Sequence, residues 1–259
     1  MYNVFLSGGG LKGAYQYGFF KELYVHWPEF PIKRVYAVSV GAINSGPIVT
    51  RKIDALDKFW CNSKGVHPFD AIVDDWYEPK TRSRMWSFIK HGSLFKKMKH
   101  EPYEVFLNNV NEDEWKLIKE KLFIVTFCRK SKTTRIVPCT SAKQIIDSIA
   151  ASARFPGLFD APQSEAEIDG FFANVDGLFD KHDEKWLCLD VQNDPSLNKK
   201  RKQSQHKLDS NMIVYSPFIS KIPCINQAAS VLSNRFVLDQ LISNGKSDAQ
   251  HFVSAHKLL

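Results

Sequence analysis

Apolar residues follow two different rhythms over the first fifty positions. Tyr2 to Leu6, "YNVFL", is a compact run of strand-forming residues and predicts a β-strand. From position 11 to 25 the apolar side chains of Leu11, Tyr15, Phe19 and Leu23 return at every fourth residue, which predicts a helix with one apolar stripe. "RVYAV", Arg34 to Val38, reads as a second strand. A short helix follows from Val40, with Pro47 expected to end or kink it. The opening order strand–helix–strand–helix favours a parallel sheet with helices packed on its faces.

Further along, the region 54–120 is helical and irregular, with Trp60, Trp76, Trp86 and Trp115. "KLFIVTF" (121–127) and "TRIVPC" (134–139) read as buried strands. "AKQIIDSIAASA" (142–153) is helical, with Ile145, Ile149 and Ala153 on one stripe. "WLCLDV" (186–191) and "NMIVYS" (211–216) predict two more strands, separated by a polar loop from Gln192 to Asp209. The tail from Ile225 reads as a helix with Ala228, Ala229, Leu232 and Phe236 on one side. No repeat and no domain boundary stands out, so a single α/β domain over 1–259, with a mostly parallel central sheet, is expected.

Composition adds little to this picture and charge adds something. No apolar run approaches the roughly 20 residues of a membrane span, and the first residues lack the pattern of a signal peptide, so a cytoplasmic protein is expected. Five cysteines, none at metal-ligand spacing, suit free thiols in a reducing compartment. The net charge of +7 suits contact with an anionic membrane surface. Two basic runs carry part of it: Lys96, Lys97 and Lys99 within the aromatic segment 85–99, and Lys199 to Lys202. Each also fits an ordinary solvated face. No acidic cluster suggests a metal site. No cofactor and no nucleic-acid partner are expected.

The chemistry starts at "LSGGGLKGAYQYG", Leu6 to Gly18, which holds five of the chain's 13 glycines. Gly8, Gly10 and Gly13 satisfy the G-x-G-x-x-G spacing of a dinucleotide site between a strand and a helix. Such a site also needs an acidic residue at the end of the second strand to hold a ribose. That strand ends at Val38 and Ser39 follows, so the nucleotide reading fails. No Gly-Lys-Ser/Thr follows for an ATP-type loop either. "AVSVGAINS" instead puts Ser39 between a strand and a helix, the position of a serine in a nucleophile elbow. Gly41 would let the helix start close to the strand. Two such turns on adjacent parallel strands would lie side by side at one edge of the sheet.

"SGGGLKG" followed by "SVGAINS" resembles the patatin-like phospholipases. "IAASARFPGLFDAP" (149–162) is similar to the family's segment ahead of its catalytic aspartate, and "NVDGLF" (174–179) to its D-G-[GA] motif. The resemblance spans about 7–179, and 180–259 is matched weakly. It implies a three-layer α/β/α sandwich and a lipid acyl hydrolase that cleaves phospholipid or other lipid esters. It further implies Ser39 as nucleophile, Asp176 as its partner in a Ser-Asp dyad, and Gly8, Gly9 and Gly10 as oxyanion hole. Lys12, Gly41 and Gly177 take supporting places. Asp169, in "IDGFF", is a second candidate for the base, and Asp176 is the preferred one because an "IDG"-like turn often precedes the family's catalytic "VDG".

Three features depart from the family pattern: Ala37 replaces the elbow glycine, Leu178 replaces the small residue of D-G-[GA] with no N-x-P after it, and Gly46-Pro47 interrupts the helix behind Ser39. They motivate an alternative, a non-catalytic protein that keeps the fold to bind lipid or a partner. A Ser-His-Asp triad is the enzymatic rival, with His182 six residues after Asp176. An aspartate has an ordinary pKa of about 3.9 and is a weak base at neutral pH. Burial, fixed contact with the serine and strong oxyanion donors are the three means of compensation.

Overall fold

The computed structural model describes residues 1–61, 101–154, 167–170, 173–179, 184–191, 211–217 and 235–257. Its elements are β1 (Tyr2–Leu6), α1 (Gly13–His26), β2 (Ile32–Val38), α2 (Val40–Val49), α3 (Asp57–Trp60), α4 (Glu101–Asn108), α5 (Glu112–Lys121), β3 (Leu122–Cys128), β4 (Thr133–Pro138), α6 (Ala142–Ser152), β5 (Glu167–Ile168), β6 (Lys185–Leu189), β7 (Met212–Tyr215) and α7 (Arg235–His256). Seven strands form one sheet in the order β4-β3-β2-β1-β6-β7, with β5 also paired to β3. The strands from β3 to β7 along this path are parallel, whereas β4 and β5 run antiparallel to β3. The α/β class and the mostly parallel sheet expected from the pattern are therefore present.

β1 sits at the centre, between β2 and β6, and every one of its residues is buried. A strand covered on both faces needs a largely apolar run rather than an alternating one, which "YNVFL" supplies except at Asn3, whose buried side chain donates to Glu184. α1 is buried over most of its surface, not along one stripe only. The reason is α7, which packs along it. Phe252 of α7 joins Tyr2, Phe19, Trp27 and Phe30 in one aromatic cluster, and Tyr15 donates a hydrogen bond to Asp248. Phe236, expected on the apolar side of the tail, is instead 66% exposed at the first turn of α7. The buried stripe there is Leu238, Leu241, Ile242, Ala249 and Phe252.

Pro47 does not end α2. It lies inside the helix, which runs on to Val49. Proline this near a C-terminus removes one backbone donor and leaves the earlier turns intact. The Thr50 amide N–H and hydroxyl both donate to the carbonyl of Gly46, closing the last turn. All ten residues of α2 are buried, so packing holds the helix in place.

The polar loop 192–209, the segment 85–99, the run Lys199–Lys202, His182, Cys224 and Ala228 to Leu232 lie outside the described residues. Among the described residues no helix is long and apolar enough to cross a membrane.

Candidate active site

The register of the central strands brings two turns to one edge of the sheet. Leu6 of β1 lies opposite Ala37 of β2, so the glycine run and Ser39 leave the sheet at the same level. Ser39 has φ 52° and ψ −121°, a combination that an L-residue occupies at a cost of about 1–3 kcal/mol. It is the sharp turn required to project a side chain off the end of a strand. Ala37, two residues earlier, is an ordinary strand residue, and positive φ falls on Ser39 instead. The first departure from the family pattern therefore carries no backbone strain. Gly41 is needed for contact: a Cβ there would come within 2.3 Å of the Leu6 carbonyl oxygen. The first turn of α2 thus rests on the end of β1, where the glycine run begins.

The glycine run passes through Gly8 and Gly9 into a 3-10 turn, Gly10–Lys12, and then into α1. Gly9 has φ 152°, and a Cβ on it would meet the Val191 side chain at 2.8 Å. Among the described residues, no acceptor is paired with the amide N–H of Gly8, Gly9 or Gly10. These groups stand at the N-terminal end of a helix, where its dipole favours negative charge.

Below the loop lies a polar network that sequence reasoning did not single out. Gln16 donates to the carbonyl of Ser7 at 2.9 Å, Asn44 donates to Gln16 at 3.1 Å and to the Gly13 carbonyl at 3.0 Å, and Trp60 donates to Asn44 at 3.0 Å. Ser7 Oγ accepts from the Val191 amide at 2.7 Å. Gln16 and Asn44 have no exposed surface, so losing one partner would leave buried polar atoms unpaired. The signal was present in the sequence: Gln16 lies in the apolar first half of α1 and Asn44 among the mainly apolar residues of α2.

Lys12 is also buried. Burial holds its ammonium below the ordinary lysine pKa, and the charge of Asp190 opposes that shift. It stands at the junction of the glycine run and α1.

The aspartate that faces Ser39 is where structure and sequence part. Asp169 meets Ser39: the hydroxyl donates to Asp169 Oδ2 at 2.8 Å. The preferred Asp176 is exposed, opens a 3-10 turn, and is fixed locally by its amide N–H, which donates to Asn174 Oδ1 at 2.9 Å. Topology explains the difference. β2 pairs with β3 as far as Val125, and β5 pairs with β3 at Phe127 and Cys128. β4 already occupies the other edge of β3 along this stretch, so β5 lies on the β2 side. Running antiparallel to β3, it points head-on at the end of β2 and delivers Asp169 to Ser39. Gly170 fits into this corner, where a Cβ would come within 2.5 Å of the Val125 carbonyl oxygen. Gly177, the supporting glycine beside Asp176, has nothing within 4 Å of a built Cβ and needs no glycine. Asp169 is 1% exposed, and its amide N–H donates to the Arg154 carbonyl.

One helical turn down α2 from Ser39, an apolar cavity of about 80 Å³ opens. Ile43, Pro47, Phe106, Leu107 and Ile149 are among its walls.

The family model of the patatin-like phospholipases matches residues 4–179. The chain belongs to the patatin-like phospholipase family. Membership of this family supports a lipid hydrolase. Three solved chains are similar to this patatin-like protein in structure. VipD from Legionella pneumophila matches at 14% identity and a TM-score of 0.44, over 95% of this chain and 67% of its own. ExoU from Pseudomonas aeruginosa, in its heterodimeric complex with SpcU of the type III secretion system, matches at 15% identity and a TM-score of 0.42, over 99% of this chain and 52% of its own. The type III effector ExoU in another crystal structure matches at 11% identity and a TM-score of 0.42, over 96% and 52%. The chain thus spans about half the length of ExoU. No curated protein matches it.

Proposed function

We propose that this patatin-like protein hydrolyses the acyl ester of a phospholipid or another lipid through a dyad of Ser39 and Asp169. The observation that carries the proposal is the 2.8 Å hydrogen bond from Ser39 Oγ to Asp169 Oδ2. Asp169 takes the hydroxyl proton as Oγ attacks the ester carbonyl carbon. The carbonyl π electrons move to oxygen, and the amides of Gly8, Gly9 and Gly10 stabilise the oxyanion. Collapse breaks the bond to the alkoxy oxygen, which leaves as the alcohol with the proton from Asp169. Water then attacks the acyl-serine, giving its proton to Asp169. A second collapse releases the carboxylic acid and returns the proton to Ser39.

Three features support the aspartate as base without a histidine. Burial strips water from the carboxylate, the contact with Ser39 is already formed, and the donors of the glycine run are preorganised. The apolar cavity below Ser39 offers a dry lining for part of an acyl chain. The reading as a non-catalytic fold loses its motivation at two of its three departures, because neither Ala37 nor Pro47 disturbs the elbow.

Contact with an anionic membrane surface belongs to the same proposal, on the strength of the net charge of +7. A cytoplasmic protein peripheral to membranes would meet its substrate there. The test is mass spectrometry of products from mixed phospholipid vesicles. Wild type should release fatty acid or lysophospholipid and Ser39→Ala should not. Equal release by both proteins would remove Ser39 from the mechanism.

A further inference from the structure

Ser152 has no exposed surface and ends α6, far from Ser39 in the sequence. Its hydroxyl makes two hydrogen bonds at once. It donates to the Val125 carbonyl at 2.6 Å and accepts from the amide N–H of Ser39 at 2.9 Å. Because the proton is committed to Val125, a lone pair of Oγ is left to face the Ser39 amide. The bond therefore has one direction only.

Three consequences follow from this bridge. It grips the backbone of the one residue at the site held at φ 52°, where a serine left to itself would relax. It also occupies the Ser39 amide, which is therefore not a donor to the oxyanion. Finally, the same Val125 carbonyl abuts Gly170, the residue after Asp169. The nucleophile, through Ser152, and the base, through Gly170, are thus referenced to a single carbonyl in the middle of β3, where its pairing with β2 ends.

We infer that Ser152 is a positioning residue, whose hydroxyl holds the Ser39 backbone in the geometry that aims Oγ at the substrate carbonyl. This rests on the Ser39–Asp169 reading. It deepens that reading by adding a residue that touches neither substrate nor the transferred proton.

The test compares wild type with Ser152→Ala and Ser152→Cys, where cysteine keeps the volume and loses most of the acceptor strength. All are assayed on one lipid ester at a temperature where circular dichroism shows each folded. A second readout is amide hydrogen exchange in a peptide covering Ser39, which needs no catalysis. Both variants should lose kcat by about 10- to 100-fold with KM little changed, because a small displacement of an attacking group has that effect. Both should also exchange the Ser39 amide faster. Unchanged exchange in both variants overturns the inference. So does a loss of kcat confined to Ser152→Ala, which would assign the effect to volume. Unchanged kcat with faster exchange overturns it as well, since the bond would then exist without positioning the nucleophile. If wild type itself shows no Ser39-dependent hydrolysis, the dyad reading falls and the inference falls with it. A positive wild type with indifferent Ser152 variants sinks the inference alone.

Discussion

Ser39 and Asp169 lie 130 positions apart and meet at 2.8 Å. A two-residue strand achieves this. β5 contributes only Glu167 and Ile168 to the sheet, yet its antiparallel register on β3 sends the next residue to the tip of β2.

The two aspartates should therefore behave differently. Asp169→Asn removes the proposed proton acceptor and should lower kcat by about 1000-fold or more. Asp176→Asn, at an exposed turn, should stay within about twofold. The measurement is kcat on a soluble ester, with circular dichroism as a folding control. The opposite ranking would mean that the exposed aspartate is the base.

The glycines divide in the same way. Gly9→Ala should depress kcat by about 100-fold, since its φ of 152° and the Val191 side chain at 2.8 Å both resist a Cβ and the loop must shift. Gly41→Ala should damage the fold itself, because the Leu6 carbonyl stands 2.3 Å from the new carbon. Gly177→Ala should be silent. Activity and thermal unfolding of the three variants, measured side by side, test all of this.

Much of this site was legible in the residues. Glycines after one strand and a serine after the next are local punctuation, and local punctuation survives without a structure. The choice of aspartate was not legible, because "IDG" and "VDG" look alike to any local rule. They differ in what lies across from them: Ile168 pairs with Phe127, whereas Asp176 follows Asn174 in an exposed turn. Ser152 was hidden for a similar reason. A serine in "IAASA" is unremarkable until the Val125 carbonyl of β3 is placed beneath it. Phe236 was misread because periodicity cannot say how far an apolar stripe extends past the helix it packs against.

Lys12 gives a dependence on pH. Burial places its folded-state pKa below the ordinary lysine value of 10.5. Between those two values the unfolded chain binds the extra proton and the folded protein does not, so stability rises as pH increases through the window. Below the window both states carry the proton and the cost of the buried charge stays constant. Lys12→Met should abolish this rise. Urea unfolding of both proteins from neutral pH to about the ordinary lysine pKa tests it. Parallel curves would mean that Lys12 keeps its charge in the folded protein throughout.

Filling the cavity should change which chains are accepted. Ile149→Phe adds volume one turn below Ser152, at a cost of about 1–3 kcal/mol if the walls cannot give. Turnover of long-chain esters should fall relative to short-chain ones. An unchanged chain-length profile would place the acyl chain elsewhere.

The stretch that carries the family signature ends at Phe179, but β1 is paired on both sides, and one of those neighbours, β6, comes later in the chain. The Ser7 amide bonds Leu189, Gly9 lies against Val191, and α1 is roofed by α7. A fragment cut at Phe179 would keep Ser39, Asp169 and the whole glycine run. It would also open a raw edge in the middle of the sheet and strip the cover from the helix behind the glycine run. The proposed reactive groups are written in the first two thirds of this chain, and part of the wall that keeps them in place is written in the last.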